Sequence, residues 1–324
     1  MSPAETIKSI MKNNKKLGKV AVILLAFVVV AAGILSILHL NSNNTPATDP
    51  NVKINASIVS PSGAPSLALV GLINDEAVNL EYEVVDGPDV LMSEFTSAEK
   101  DFIIAPLNLG VKLIDKGAEY KLLGVLTWGN LYLVGDGSAE NGCALFGEGS
   151  VPGVVFNYVK DSIDKEYLYE NYGSAQEVMQ LLKSGKFHTG LLAEPLATAI
   201  TADGSFSRLY NVQDLWKEKT GNASYPQAAI FVANKTLDAR TDEIMAVASK
   251  IEMNIANLNS NPEGLVESAG DLDLSTLGFA NVDLVTKALP NMALNFEYAY
   301  DVVDEIQSFL DLFKMQLNDL NYVQ

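Results

Sequence analysis

Nucleophiles and metal ligands are scarce in this sequence, whereas groups that hold a small molecule by hydrogen bonds and ring stacking recur at its turns. The chain has one cysteine, Cys143, and two histidines, His39 and His188. Cys143 has no partner for an internal disulfide and reads as a small packed side chain. His39 belongs to an apolar run far from His188, so neither a histidine metal centre nor a Ser-His-Asp constellation can be assembled. No GxSxG, HExxH or P-loop pattern occurs, and Gly147-Glu148-Gly149 lacks the third glycine of a dinucleotide fingerprint. These residues imply no metal and no cofactor.

Three turns point to binding instead. Ser60–Pro65, Ala105–Asn108 and Gly147–Pro152 each join an apolar run to a helical pattern. Turns of this form present helix-start amides without intrahelical partners, a place for a polar or anionic group. They supply Ser62, Gly63, Ala64, Pro106, Asn108, Glu148 and Ser150 as candidate ligand-binding residues. Trp128, Tyr132 and Tyr225 offer aromatic faces, Asn130 closes the Trp128-Gly129-Asn130 turn, and Glu194 stands before Pro195. The body has only Arg208 and Arg240, neither in these turns, so bidentate guanidinium recognition of a sulfonate or carboxylate is hard to build. With Glu148 and Glu194 nearby, the expected ligand is a neutral or amine-bearing heterocycle stacked on Trp128 or Tyr225.

The elements that must position these residues alternate short apolar runs with longer helical ones, the pattern of an α/β chain. Strands are expected at Ala56–Ser60, Leu80–Val85, Asp101–Ala105, Lys121–Trp128, Leu131–Val134, Leu191–Ala193 and Ala228–Ala233. Helices are expected after Pro65, after Pro106, over Ser174–Leu182 and over Thr241–Asn257. The cleanest periodicity is the last. Ala299, Val303, Ile306, Leu310, Phe313, Leu317 and Leu320 alternate spacings of four and three, which predicts one long C-terminal helix.

Of 324 residues, 48% are hydrophobic, enough for a sizeable core. The formal net charge is −18; residues 1–40 carry five lysines against Glu5, a net of +4, leaving −22 on the remainder. An acidic body without a basic patch excludes nucleic acid as a partner. Val20–Leu38 holds no charge and, as a helix, would span about 28 Å, close to the hydrocarbon thickness. The lysines precede it, so the positive-inside rule leaves residues 1–19 in the cytoplasm, 20–40 as a single-pass anchor, and the body outside the cell or in the periplasm. A cleaved signal is the rival, since Val30-Ala31-Ala32 stands before Gly33. No cysteine follows the run to carry a lipid. Residues 41–53 are polar and read as a tether.

Several segments resemble the type II periplasmic-binding-protein family of ABC importers that includes receptors for nitrate, alkanesulfonates, taurine and thiamine-pyrimidine precursors. They are Gly63-Ala64-Pro65 opening the first helix, Asp101–Leu109 (DFIIAPLNL), Lys121–Val125 running into Thr127-Trp128-Gly129-Asn130, Ser184-Gly185-Lys186 followed by Ala193-Glu194-Pro195, and Tyr225–Ala228. The resemblance implies a two-lobed α/β fold, with 52–134 and 229–324 as lobe one and 135–228 as lobe two. Crossings are expected near Leu133–Asp136 and Pro226–Ile230. It further implies an extracellular solute-binding subunit that closes by hinge motion on a small molecule and delivers it to permease subunits in the membrane. A ligand-sensing or adhesion receptor on the same fold, or a small-metabolite synthase or dehydratase, remains the alternative.

Overall fold

Strands alternate their side chains between two faces, so a strand buried on both sides must be apolar throughout. The strand β10 (Ala228–Ala233) meets that demand with six buried residues. It lies at the centre of a sheet in a computed structural model that describes residues 53–85, 87–279 and 281–324. The proposed anchor and all but the end of the tether lie outside the described residues. No helix among the described residues is long and apolar enough to cross a membrane.

Eleven strands among the described residues form two sheets. β1 (Ile54–Pro61), β2 (Val78–Val85), β3 (Phe102–Pro106), β4 (Tyr120–Thr127), β10 and β11 (Leu294–Tyr298) make a six-stranded sheet in the order β11-β4-β10-β3-β1-β2. β5 (Leu131–Gly135), β6 (Gly142–Phe146), β7 (Leu168–Tyr172), β8 (Thr189–Ala193) and β9 (Ser207–Asn211) make a five-stranded sheet in the order β7-β6-β8-β5-β9. The plan is the same in both. A first strand pairs in parallel with the second on one side and the third on the other. One antiparallel strand then separates the third from the fourth: β10 in the first sheet, β5 in the second.

β5 lies wholly in the second sheet, so the chain leaves the first sheet at Trp128–Asn130, a few residues before the crossing expected at Leu133–Asp136. The return runs through Tyr225–Gln227 into β10. Strand parity sorts the core. Ile58, Ile104 and Ile230 face one side of the first sheet with Leu67, Ile251 and Ile255. Val59, Ile103 and Phe231 face the other, in a core that continues into the second sheet through Leu131, Leu133, Trp216, Tyr225 and Phe309. Tyr132, Val134, Ala144 and Leu192 face a third cluster.

Helix starts follow local chemistry. Ser174 caps Ala175–Lys183 by accepting from Glu177 N at 3.2 Å, while the Glu177 carboxylate accepts from Gly173 N at 2.9 Å. At the start of β3, Asp101 accepts from Ser57 N at 3.0 Å, Thr236 Oγ1 at 2.7 Å and Arg240 at 2.5 Å. Burial pushes the Asp101 carboxyl up, but these donors outweigh it and hold the group below its ordinary range.

The C-terminal helix is shorter than its sequence pattern. It runs Val303–Leu310 with one further 3₁₀ turn, Asp311–Phe313, and Lys314 turns the chain at φ 56°. Two contacts end it. The Gln307 side chain donates to Met315 O at 3.1 Å and accepts from Leu317 N at 2.9 Å. The tail then pairs with β4, Leu122 N donating to Asn321 O at 2.8 Å and Val323 N to Leu122 O at 2.9 Å. Leu320, the last member of the periodic stripe, is 80% exposed.

Candidate functional site

In an open α/β sheet, the loops after two strands that diverge from a common neighbour leave a crevice at their carboxyl ends. Here that point lies between β1 and β3 in one sheet and between β6 and β8 in the other. The loops after all four strands line one cavity of ≈ 620 Å³, within the range of small-molecule sites. The first sheet supplies Ser62, Gly63 and Ala64 after β1, and Pro106 and Asn108 after β3. The second supplies Ser150 after β6, and Ala193 and Glu194 at the end of β8. Both crossings enter the wall, through Asn130 and Gln227.

Three carboxamides dominate the polar surface. The side-chain oxygens of Asn108, Asn130 and Gln227 are buried without a hydrogen-bond partner. These residues line the cavity, while the oxygens themselves are shielded within its wall. Asn130 is held by its backbone, where its carbonyl accepts from Glu194 N at 3.1 Å.

The backbone amides of the three turns are largely committed within the protein. Ser62 N donates to Val85 O at 3.1 Å, Gly63 N to Leu277 O at 3.3 Å, and Leu107 N to Gln227 O at 3.1 Å. At the third turn Pro152 has no N–H, and Gly153 N donates to Gly147 O at 3.0 Å. The helices Leu107–Asp115 and Val151–Val159 do begin at the cavity. They bring there fewer open donors than their turn sequences suggest.

Among the described residues, Glu194 is the one charged residue lining the cavity, and its charge is already matched. Its side chain is 0% exposed; Oε1 pairs with Arg208 Nη2 and Oε2 accepts from Thr198 N at 3.0 Å. Arg208 also donates to Thr198 Oγ1 at 2.7 Å and covers the Tyr132 ring at 4.9 Å. Tyr132 is buried, which pushes its phenol up to about 12, and its hydroxyl donates to Asn291 O at 3.1 Å.

Other sequence candidates lie elsewhere. Tyr225 is wholly buried, stacked on Phe309 at 6.4 Å and edge-on to Trp216 at 5.5 Å, with its hydroxyl donating to Gln213 Oε1 at 3.1 Å. It is a core residue of the return crossing, not a cleft wall. Trp128 faces a separate pocket of ≈ 320 Å³ beside Ser224 and Glu305, and its indole N–H donates to Asn295 O at 2.9 Å. Glu148 is exposed and is not among the residues lining the cavity. Stacking on Trp128 or Tyr225 is thereby set aside. Gln227 was not foreseen. Its signal was a polar side chain entering a strand whose every other residue is apolar, where burial obliges a partner.

Solved structures share this architecture. An ABC transporter protein from Parabacteroides distasonis superposes with a TM-score of 0.73 at 22% identity, over 84% of this chain and 99% of that one. The fold is that of the binding proteins of ABC transporters. The periplasmic aliphatic sulphonate binding protein of Escherichia coli gives 0.60 at 12% identity, covering 81% and 87%. The periplasmic nitrate-binding protein of Synechocystis gives 0.57 at 10%, covering 82% of each chain. No family model matches the sequence, nor does any curated protein. The cavity lies at the switch point of each sheet.

Proposed function

We propose that the chain is the solute-binding subunit of an ABC importer, which captures a small molecule between its two sheets and presents it to permease subunits. The observation that carries this reading is the convergence of four strand-end loops and both crossings on one cavity. Contacts from both sheets to one ligand stabilise the closed form over the open one, so ligand should draw the sheets' rims together. The test is a distance between labels on opposite rims, which should shorten on saturation; an unchanged distance counts against the reading.

Binding rather than catalysis suits the side chains present. Cys143 is fully buried, and burial pushes its thiol up to about 12, far from a reactive thiolate. His188 pairs with Asp136 at 2.6 Å and is not among the residues lining the cleft.

We place the body outside the cell, tethered by residues 20–40, a reading that rests on the uncharged run Val20–Leu38 behind five lysines. The protein in intact cells should then fractionate with the membrane and retain Met1. A mature chain beginning at Gly33 would show cleavage instead.

A further inference from the structure

We propose a second binding site, for a small organic ammonium ion, in the pocket of ≈ 320 Å³ that Trp128 faces. It shares no lining residue with the larger cavity and stands independently of the solute-binding reading. The first crossing supplies Trp128, and the approach to the second supplies Ala223 and Ser224. The edge strand β11 supplies Glu297, and the start of the helix Val303–Leu310 supplies Val302 and Glu305. Its volume lies at the small end of the range for ligand sites.

The backbone carbonyls of this wall already have donors. Ala293 O accepts from Trp128 N at 2.9 Å, Leu294 O from Asn259 Nδ2 at 2.7 Å, and Asn295 O from the indole N–H at 2.9 Å. Ser224 Oγ donates to Trp128 O, which ties the two crossings together. The charge is not matched in the same way. Glu297 gives one oxygen to Asn295 Nδ2 at 2.9 Å. No Lys, Arg or His lines the pocket among the described residues. Nor does any ion pair among them include Glu297 or Glu305. Trp128 is half-buried, whereas the other tryptophan, Trp216, is wholly buried. A half-open indole between two carboxylates favours a cation twice over. The ring attracts positive charge, and an ammonium group can donate to the carboxylates. Ala223 and Val302 give its apolar body a place to rest. A neutral molecule of the same shape would keep that contact and lose both charge terms.

The two tryptophans make the site directly observable. The full chain, grown with fluorotryptophan, should give one fluorine resonance for Trp128 and one for Trp216, assigned with Trp128→Phe. It is titrated at neutral pH with benzylamine, an ammonium ion there, and with the uncharged isostere benzyl alcohol. Benzylamine should shift the Trp128 resonance saturably, with millimolar or tighter affinity, and leave that of Trp216 in place. It should bind about tenfold or more tighter than benzyl alcohol. The double variant Glu297→Gln with Glu305→Gln should lose about tenfold or more of the benzylamine affinity while melting as the parent does. No saturable shift at Trp128, equal affinity for the alcohol, or unchanged benzylamine affinity in the double variant would overturn the site.

Discussion

Replacing Arg208 by methionine should destabilise the folded chain by about 3–5 kcal/mol, because it strands a carboxylate in the interior. The Glu194 side chain is 0% exposed and its partner is 29% exposed, so the acid cannot turn to water once the guanidinium is gone. Only the Thr198 amide would still donate to it. For a chain of this length the melting temperature should fall on the order of 10 °C, read by circular dichroism at neutral pH. The double variant Arg208→Met with Glu194→Gln should recover much of the loss, since no charge is left unpaired. A loss under about 1 kcal/mol would mean that Glu194 is hydrated rather than stranded once Arg208 is gone.

Gly153→Ala should damage the cleft as a unit. A Cβ at Gly153 would lie 2.3 Å from Gly147 O and 2.7 Å from Glu148 Cα, both backbone atoms of the turn that carries Ser150. The turn must move out, breaking the Gly153 N to Gly147 O bond. Overpacking of this kind costs about 1–3 kcal/mol, and the displaced turn should lower ligand affinity tenfold or more. Gly149→Ala is the control: nothing lies within 4 Å of its Cβ, and its backbone lies outside the left-handed region. Its melting temperature should stay that of the parent. If Gly153→Ala binds and melts normally, the Gly147–Pro152 turn is not part of the site.

Much of the scaffold was legible because central strands announce themselves. Ala228–Ala233 and Phe102–Pro106 are apolar runs closed by turn residues, and both fall where their pattern places them. The three turns were legible for the same reason, since Pro65, Pro106 and Pro152 favour the start of a helix and each stands where one begins. What failed was any inference that needed to know which face a residue takes. Leu131–Gly135 is buried on both sides, so its sequence cannot say which sheet it joins, and the crossing was placed too late. Tyr225 has the chemistry of a cleft wall and the burial of a core residue, and only packing against Trp216 and Phe309 decides between them. The Glu194–Arg208 pair was invisible because β8 and β9 are brought to either side of β5 by topology, not by spacing. The final helical stripe was real to Phe313. Beyond that, strand pairing of the tail with β4 overrode the periodicity.

Closure on a solute is measured most directly as a distance across the cleft mouth. Cys143 is buried and will not take a label, so spin labels can be placed at Asp89→Cys and Glu148→Cys without removing it. Both are exposed positions beside turns that line the cavity from opposite sheets. With the full chain saturated by a compound shown to bind it, the distance between labels should shorten and its distribution narrow. A distribution identical with and without that compound would contradict capture by closure of the cleft.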